Sequence, residues 1–146
     1  MKTMWAMLGA LLLSILVLDL GMVYVTYHKI SGTAEHALDA ALVAGIKMED
    51  ASLGKMHIDE VTARLAAVEV FREDLNLDTG LENDIMKNTL ITVTIYQDLN
   101  PDHPGSRPYL EGTVKTGVTA VSPRLFGQEG FPITVRKTRF HMSKYK

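Results

Sequence analysis

The chain has 146 residues, about one domain's length, and a formal net charge of −2. This charge does not indicate nucleic acid as a partner, because phosphate binding requires clustered Lys and Arg. The chain has no cysteine, which excludes a disulfide framework, a thiolate zinc site and a cysteine nucleophile. We therefore expect packing and backbone hydrogen bonds to stabilise the fold.

Residues 4–25 form an apolar segment of 22 residues with a single charge. As a helix this segment is roughly 33 Å long, enough to cross the hydrocarbon core of a bilayer. The sequence therefore predicts a single-pass anchor over residues 1–28, with a cytoplasmic N-terminus, and an extracytoplasmic α+β domain over residues 29–146. A cleaved signal peptide is the alternative, but residues 20–29 are bulky where a small-x-small cleavage site is needed.

Trp5 lies at one end of the segment, and Tyr24 and Tyr27 lie at the other, as expected for rings at the two membrane interfaces. The one charge inside the segment is Asp19. A carboxylate in the bilayer is costly and usually has a partner. Two interpretations stay open here: Asp19 lies near the outer interface and reaches water, or it pairs with a positive group on a neighbouring subunit and sets axial register.

Small side chains along the segment would let helices approach closely in lipid, where packing takes the place of the hydrophobic effect. The same spacing is common in membrane helices generally. The residues expected to act in membrane insertion or assembly are Lys2, Gly9, Ala10, Ser14, Asp19 and Gly21.

The helical pattern continues without proline to residue 46, so we expect one rod over residues 4–46 with an alanine-rich exposed half and Gly45 as its stop. Residues 48–56 read as a polar turn. Apolar residues then recur every three or four positions over residues 58–75, which predicts a second amphipathic helix with Asp59 or a neighbour as its cap.

The period changes to two over residues 90–97, which predicts a β-strand. Residues 100–108 hold three prolines and a glycine and predict a loop. A longer strand is expected over 109–121, with Gly112 and Gly117 as bulge or twist points. Ser122 and Pro123 break it, and a turn follows at 127–132. A last strand covers 133–142, so the fold class is α+β: two helices covering a three- to four-stranded antiparallel sheet.

No pattern of catalytic or cofactor-binding residues stands out. His57, Asp59 and Glu60 resemble metal ligands, but acidic residues are favoured at a helix start in any case. Asp102 and His103 lie in the proline-rich loop. The sequence has no glycine-rich phosphate loop and no HExxH motif. We therefore expect no enzyme activity, no metal and no cofactor.

The charges are unevenly distributed along the chain. Residues 49–84 hold ten acidic against three basic residues, and residues 121–146 hold six basic residues against Glu129 alone. One interpretation is two solvated faces. The other is complementarity between the acidic face of one subunit and the basic edge of the next, which would steer association and register.

The N-terminal half resembles the signature of TadE/TadG-like proteins, which are pilus-assembly components of tight-adherence (Flp-type) systems. The resemblance lies in Leu-Asp-Leu-Gly at 18–21, Tyr-x-x-Tyr at 24–27 and the alanine-rich stretch at 37–45. Residues 121–127 and 131–135 also look like the late strand of that family. The order of parts, a hydrophobic helix, its exposed extension and a small sheet, is similar to that of pilins.

The resemblance implies a non-enzymatic minor pilin or pseudopilin that acts in assembly of a surface pilus or related secretion filament. The implied partners are the lipid bilayer, other pilin-like subunits, and the membrane platform and assembly ATPase of a pilus system. Prepilins of this class carry a Gly just before the hydrophobic run and a Glu five residues after the site of peptidase cleavage. This chain has neither residue. This departure argues against peptidase processing. The alternatives are a solitary anchored binding module and an accessory component of a secretion or conjugation apparatus.

Overall fold

A computed structural model describes residues 2–50, 55–97, 108–125, 127–128 and 130–140. Within these residues the elements are α1 (Lys2–Gly45), β1 (Ile46–Asp50), β2 (Lys55–Ile58), α2 (Glu60–Asp74), β3 (Met86–Tyr96), β4 (Tyr109–Val118), α3 (Val121–Leu125) and β5 (Phe131–Phe140). The predicted α+β class, with a long apolar N-terminal helix and an antiparallel sheet of three strands among the described residues, is confirmed.

Helix α1 is a single rod of 44 residues that ends at Gly45, as predicted. At about 1.5 Å per residue it is roughly 66 Å long. Its first half is exposed apart from the buried Asp19 and the partly exposed Ile15 and Val23, whereas Ile30, Ala34, Ala37 and Ala41 in its second half are buried. The second half is therefore the spine of a globular part, called the head here, which comprises the described residues from 30 to 140.

Helix α2 packs on the spine in the opposite direction. Asp59 caps α2, as predicted, because its carboxylate accepts hydrogen bonds from two backbone N–H groups of the first turn. The Asp59 N–H in turn donates to the carbonyl of Gly45 at 2.7 Å. At the other end of α2, Asp74 lies 2.7 Å from the Nδ1 of His36. The alanine-rich face of α1 allows α2 to pack closely, since Ala34, Ala37 and Ala41 are buried in the same clusters as residues of α2.

The three-stranded sheet has the order β3-β4-β5, with both pairs antiparallel. Its inner face and α1 enclose two groups of buried residues. One includes Ile30, Phe71 and Val118, and the other includes Leu38, Ala63 and Leu110. Alternating burial along β4 and the inner half of β5 follows the two-residue period of a half-buried sheet.

Some local predictions were wrong. Residues 46–50 and 55–58, placed largely in a polar turn, form an antiparallel strand pair. The turn at 51–54 lies outside the described residues. Strand β3 begins at Met86, four residues before the predicted start. The sequence pattern missed these residues because a bulge at Asn88, which has a positive φ, interrupts the alternation that marks a strand.

Strand β4 ends before Ser122 and Pro123, as predicted, but the sequence pattern did not indicate that this segment forms the helix α3. Proline is tolerated there because the N–H groups of a first helical turn have no partner within the helix. Gly112 is not a bulge: a side chain there would meet Leu38 at 3.0 Å, so it allows α1 to approach the sheet. Gly117 lies opposite the bulge of β3. The loop predicted at 100–108 falls almost entirely outside the described residues.

Candidate membrane anchor and its junction with the head

The first part of α1, residues 2–18, is almost entirely exposed and is called the bare segment here. All of its side chains are exposed apart from the partly exposed Ile15. The most apolar 18-residue window of α1 has a mean hydropathy of 2.3 and is 6% buried, so α1 has the length and composition to cross a membrane. Ten large apolar side chains here face outward, among them Trp5, Met7 and Leu18 at 66%, 76% and 73% exposure.

An apolar surface of this size is unfavourable in water. Full burial of one large apolar side chain contributes about 1.5–3 kcal/mol, so ten of them amount to roughly 15–30 kcal/mol at full transfer. That is more than the net folding stability of a typical domain. An apolar environment outside the head would therefore stabilise this surface.

Asp19 lies directly after the bare segment and is 5% exposed. Its Oδ1 accepts a hydrogen bond from the Val121 N–H at 3.1 Å, and its Oδ2 accepts one from the Ser122 N–H at 2.5 Å. These donors are the first N–H groups of α3, and the next residue, Pro123, has none. Asp19 therefore caps α3 from a position 102 residues away in the chain.

Neither interpretation of Asp19 anticipated this contact. The carboxylate does not reach water, and both of its oxygens are already bound within the same chain. Capping explains how a charge is accommodated beside an apolar segment. The two hydrogen bonds to the carboxylate replace its hydrogen bonds to water, and the positive end of a helix favours an anion. The contact also means that the head meets α1 within residues 1–28, the stretch assigned to the anchor.

The other predicted site residues, Lys2, Gly9, Ala10, Ser14 and Gly21, are exposed, and a Cβ built at Gly9 or Gly21 would have open space around it. The Ser14 hydroxyl donates to the carbonyl of Ala10 at 2.9 Å, a bond within the helix. At about 100° per residue, Ala10, Ser14 and Gly21 lie roughly 140–180° around the helix from Asp19. They thus share the side of α1 that points away from the head. Gly9 does not lie on that side.

An ion cluster joins β5 to α1 farther from the bare segment. Lys137 Nζ lies 2.7 Å from one oxygen of Glu35, Arg139 Nη2 lies 2.8 Å from the other, and Arg139 also lies 3.2 Å from Asp39. The hydrogen bond from Lys137 and the two positive charges hold the pKa of Glu35 below its ordinary value. Two of the basic residues considered for contacts between subunits are therefore paired within the chain.

The acidic stretch is also partly occupied by local partners. Glu60 lies 3.5 Å from Arg64, Glu82 lies 3.6 Å from Lys87, and Asp74 contacts His36. The interpretation of two solvated faces accounts for these exposed pairs. Complementarity between subunits stays a prediction for the remaining charges.

No group of three or more His, Asp or Glu side chains in the described part of the chain is placed to hold a metal ion. His57 and Glu60 are exposed, and Asp59 is the cap of α2. An open depression of about 650 Å³ lies beside α3 and is lined by Glu82, Lys87, Asn88, Thr119, Arg124, Gly127 and Gln128. This lining is polar, and it pairs no nucleophile with a histidine base.

No protein-family model, curated protein or solved structure matches the chain.

Proposed function

We propose that this chain is a non-enzymatic, pilin-like subunit that is anchored in the cytoplasmic membrane and takes part in assembly of a surface pilus or related secretion filament. One observation carries the proposal: α1 is continuous from an exposed apolar segment into the spine of a small α+β head. A helix of this kind offers one surface for lipid or neighbouring helices and holds the head at a fixed angle to it.

In this arrangement the bare segment lies in the bilayer, and the head lies outside the cytoplasm. The face of α1 that carries Ala10, Ser14 and Gly21 is the surface for lateral packing, because it points away from the head and small residues let two helices approach. The sequence resemblance to TadE/TadG-like proteins agrees with this role, and the membrane platform and assembly ATPase of a pilus system would be further partners.

Disulfide cross-linking in membranes tests lateral packing directly, since the chain has no native cysteine. We expect Ala10→Cys and Ser14→Cys to yield disulfide-linked dimers under mild oxidation. Leu12→Cys is the matched control, because it lies at the same depth but within about 20° of the Asp19 side. Equal cross-linking at all three positions, or at none, contradicts packing through this face.

Shearing and fractionation of cells that express the tagged full-length chain test the filament. Recovery in the sheared fraction supports a pilin, and intact-mass analysis of the same material reports whether the N-terminus is processed. Recovery only in the membrane fraction, without cross-links, refutes a filament subunit. That result favours a solitary anchored binding module or an accessory component of a secretion apparatus.

A further inference from the structure

Three exposed apolar side chains lie at the end of the head nearest the bare segment. They are Ile85, Val121 and Leu125, at 42%, 55% and 59% exposure, and they are called the apolar rim here. Val121 is held at the level of Asp19 by its N–H bond to that carboxylate. Ile85 is held nearby, because its carbonyl accepts a hydrogen bond from the Thr119 N–H at 2.7 Å.

The apolar rim adjoins the exposed surface of the bare segment. Leu18 and Leu20, on either side of Asp19, are 73% and 53% exposed. The apolar surface of α1 and that of α3 therefore meet at one level of the molecule. Arg124, which is exposed on α3, and Lys87 line the polar depression beside the rim, where Lys87 also faces Glu82 at 3.6 Å.

The length of the bare segment fixes where this level lies in a membrane. Seventeen helical residues, 2–18, span roughly 26 Å, whereas a typical hydrocarbon core is about 30 Å thick. With Lys2 kept at the cytoplasmic interface, the outer boundary falls near residue 22. The exposed rings of Tyr24 and Tyr27, just beyond it, suit the interfacial layer. Residue 19 and α3 thus fall at the boundary and do not stand clear of it.

We propose that α3 and the apolar rim seat the head on the outer leaflet of the bilayer that holds α1. The side chains of the rim insert at the junction of headgroups and acyl chains, and Arg124 and Lys87 face the headgroup phosphates. The cap that Asp19 provides makes this possible, because the carboxylate and the N–H groups of α3 satisfy each other where water is scarce. This inference rests on the proposed membrane anchoring.

Depth-dependent quenching tests the proposal on the full-length chain in phosphatidylcholine vesicles. Val121→Cys and Leu125→Cys each carry a small fluorophore on an exposed side chain, and some lipids carry a nitroxide on the acyl chain, either near its headgroup end or near its methyl end. We expect both probes to lose fluorescence mainly to the nitroxide near the headgroup end, and a probe at Leu12→Cys, about 15 Å from Lys2 along the helix, to lose it mainly to the nitroxide near the methyl end. The probes at 121 and 125 should also be shielded from iodide in the water.

Thr94→Cys is the control on the head. Thr94 is exposed, and across the sheet it lies in line with Glu111 and Thr138. The neighbour of Thr138, Lys137, contacts Glu35 of α1, so Thr94 lies near the level of Glu35. Glu35 is 16 residues beyond Asp19, roughly 24 Å along α1, so the probe at position 94 should be quenched by iodide and not by the lipid nitroxide.

The outcomes separate this proposal from the proposed function. Probes at 121 and 125 that behave like the probe at 94 overturn the seating of the head, while quenching at position 12 still supports the anchor. A probe at position 12 that the lipid does not quench overturns the anchor itself. Probes at 121 and 125 that neither quencher reaches indicate a protein, such as a second copy of this chain, on the rim, and they also overturn the proposal.

Discussion

Replacing Gly45 by alanine tests how closely the two helices of the head approach. An added Cβ at Gly45 would lie 2.8 Å from the Cβ of Ala63, 3.0 Å from the Cγ2 of Ile58 and 3.2 Å from the carbonyl oxygen of Asp59. None of these atoms is the end of a flexible side chain, and Ala63 and Ile58 are both 0% exposed. The helices or the strand must therefore move apart to accept the methyl group.

Two effects of opposite sign compete at this position. Alanine exceeds glycine in helix propensity by about 1 kcal/mol in a helix interior, and by less at the last residue of α1. Overpacking of a close contact costs about 1–3 kcal/mol. We expect the steric cost to dominate, with a net loss of about 1–2 kcal/mol and a decrease of roughly 5–15 °C in the Tm of the head, given its size.

Gly32→Ala is the matched control in the same helix. No heavy atom lies within 4 Å of a Cβ built at Gly32, so only the propensity gain remains. We expect this variant to be more stable than the parent by about 0.5–1 kcal/mol. Thermal unfolding of the full-length chain in detergent micelles, followed by the tyrosine near-UV signal, measures both. If Gly45→Ala stabilises the head as Gly32→Ala does, the close contact of α1 with α2 is refuted.

Three further predictions concern the junction, the ion cluster and the core. Asp19→Ala should accelerate amide exchange at residues 121 and 122, since two N–H groups lose their acceptor, whereas amides within α2 should keep their rates; unchanged exchange at 121 and 122 would contradict the cap. The pKa of Glu35 is lower in the folded head than its ordinary value of 4.5, because Lys137 binds the ionised form. Its stabilisation is therefore complete above about pH 4.5 and is lost as the pH falls through the folded pKa. Denaturant titrations across this range should show a shallower acid slope for Glu35→Gln than for the parent, and an identical slope would refute the assignment. Phe71→Ala should cost about 3–5 kcal/mol in urea unfolding, because Phe71 is 1% exposed. Val61→Ala, at a side chain that is 69% exposed, should change stability by less than about 0.5 kcal/mol.

The capping of α3 by Asp19 changes how the charge in the apolar segment is understood. A carboxylate in a membrane helix can serve to attract a neighbouring subunit. In this chain both of its oxygens bind the backbone of the head. The charge thus couples the orientation of the head to that of the helix.

Local patterns in the sequence were sufficient for the long elements. The apolar run and the absence of proline predicted α1 and its end at Gly45, and the three- to four-residue spacing predicted α2 with Asp59 as its cap. The two-residue period located β3, β4 and β5 to within a few residues. These features depend on residues that are close together along the chain, so local sequence patterns are enough to predict them.

The sequence by itself determined that an apolar helix leads into a small α+β domain, because periodicity and composition act over short distances. Only the tertiary structure decided the partner of Asp19, the strand pair at 46–58 and the helix at Val121–Leu125. The contact of Asp19 and the helix α3 depend on groups that are distant in sequence. The strand pair depends on which backbone segment each strand hydrogen-bonds to. Five residues make no stable helix alone. The segment with Pro123 is helical because a carboxylate 102 residues away binds the N–H groups that its first turn leaves without partners.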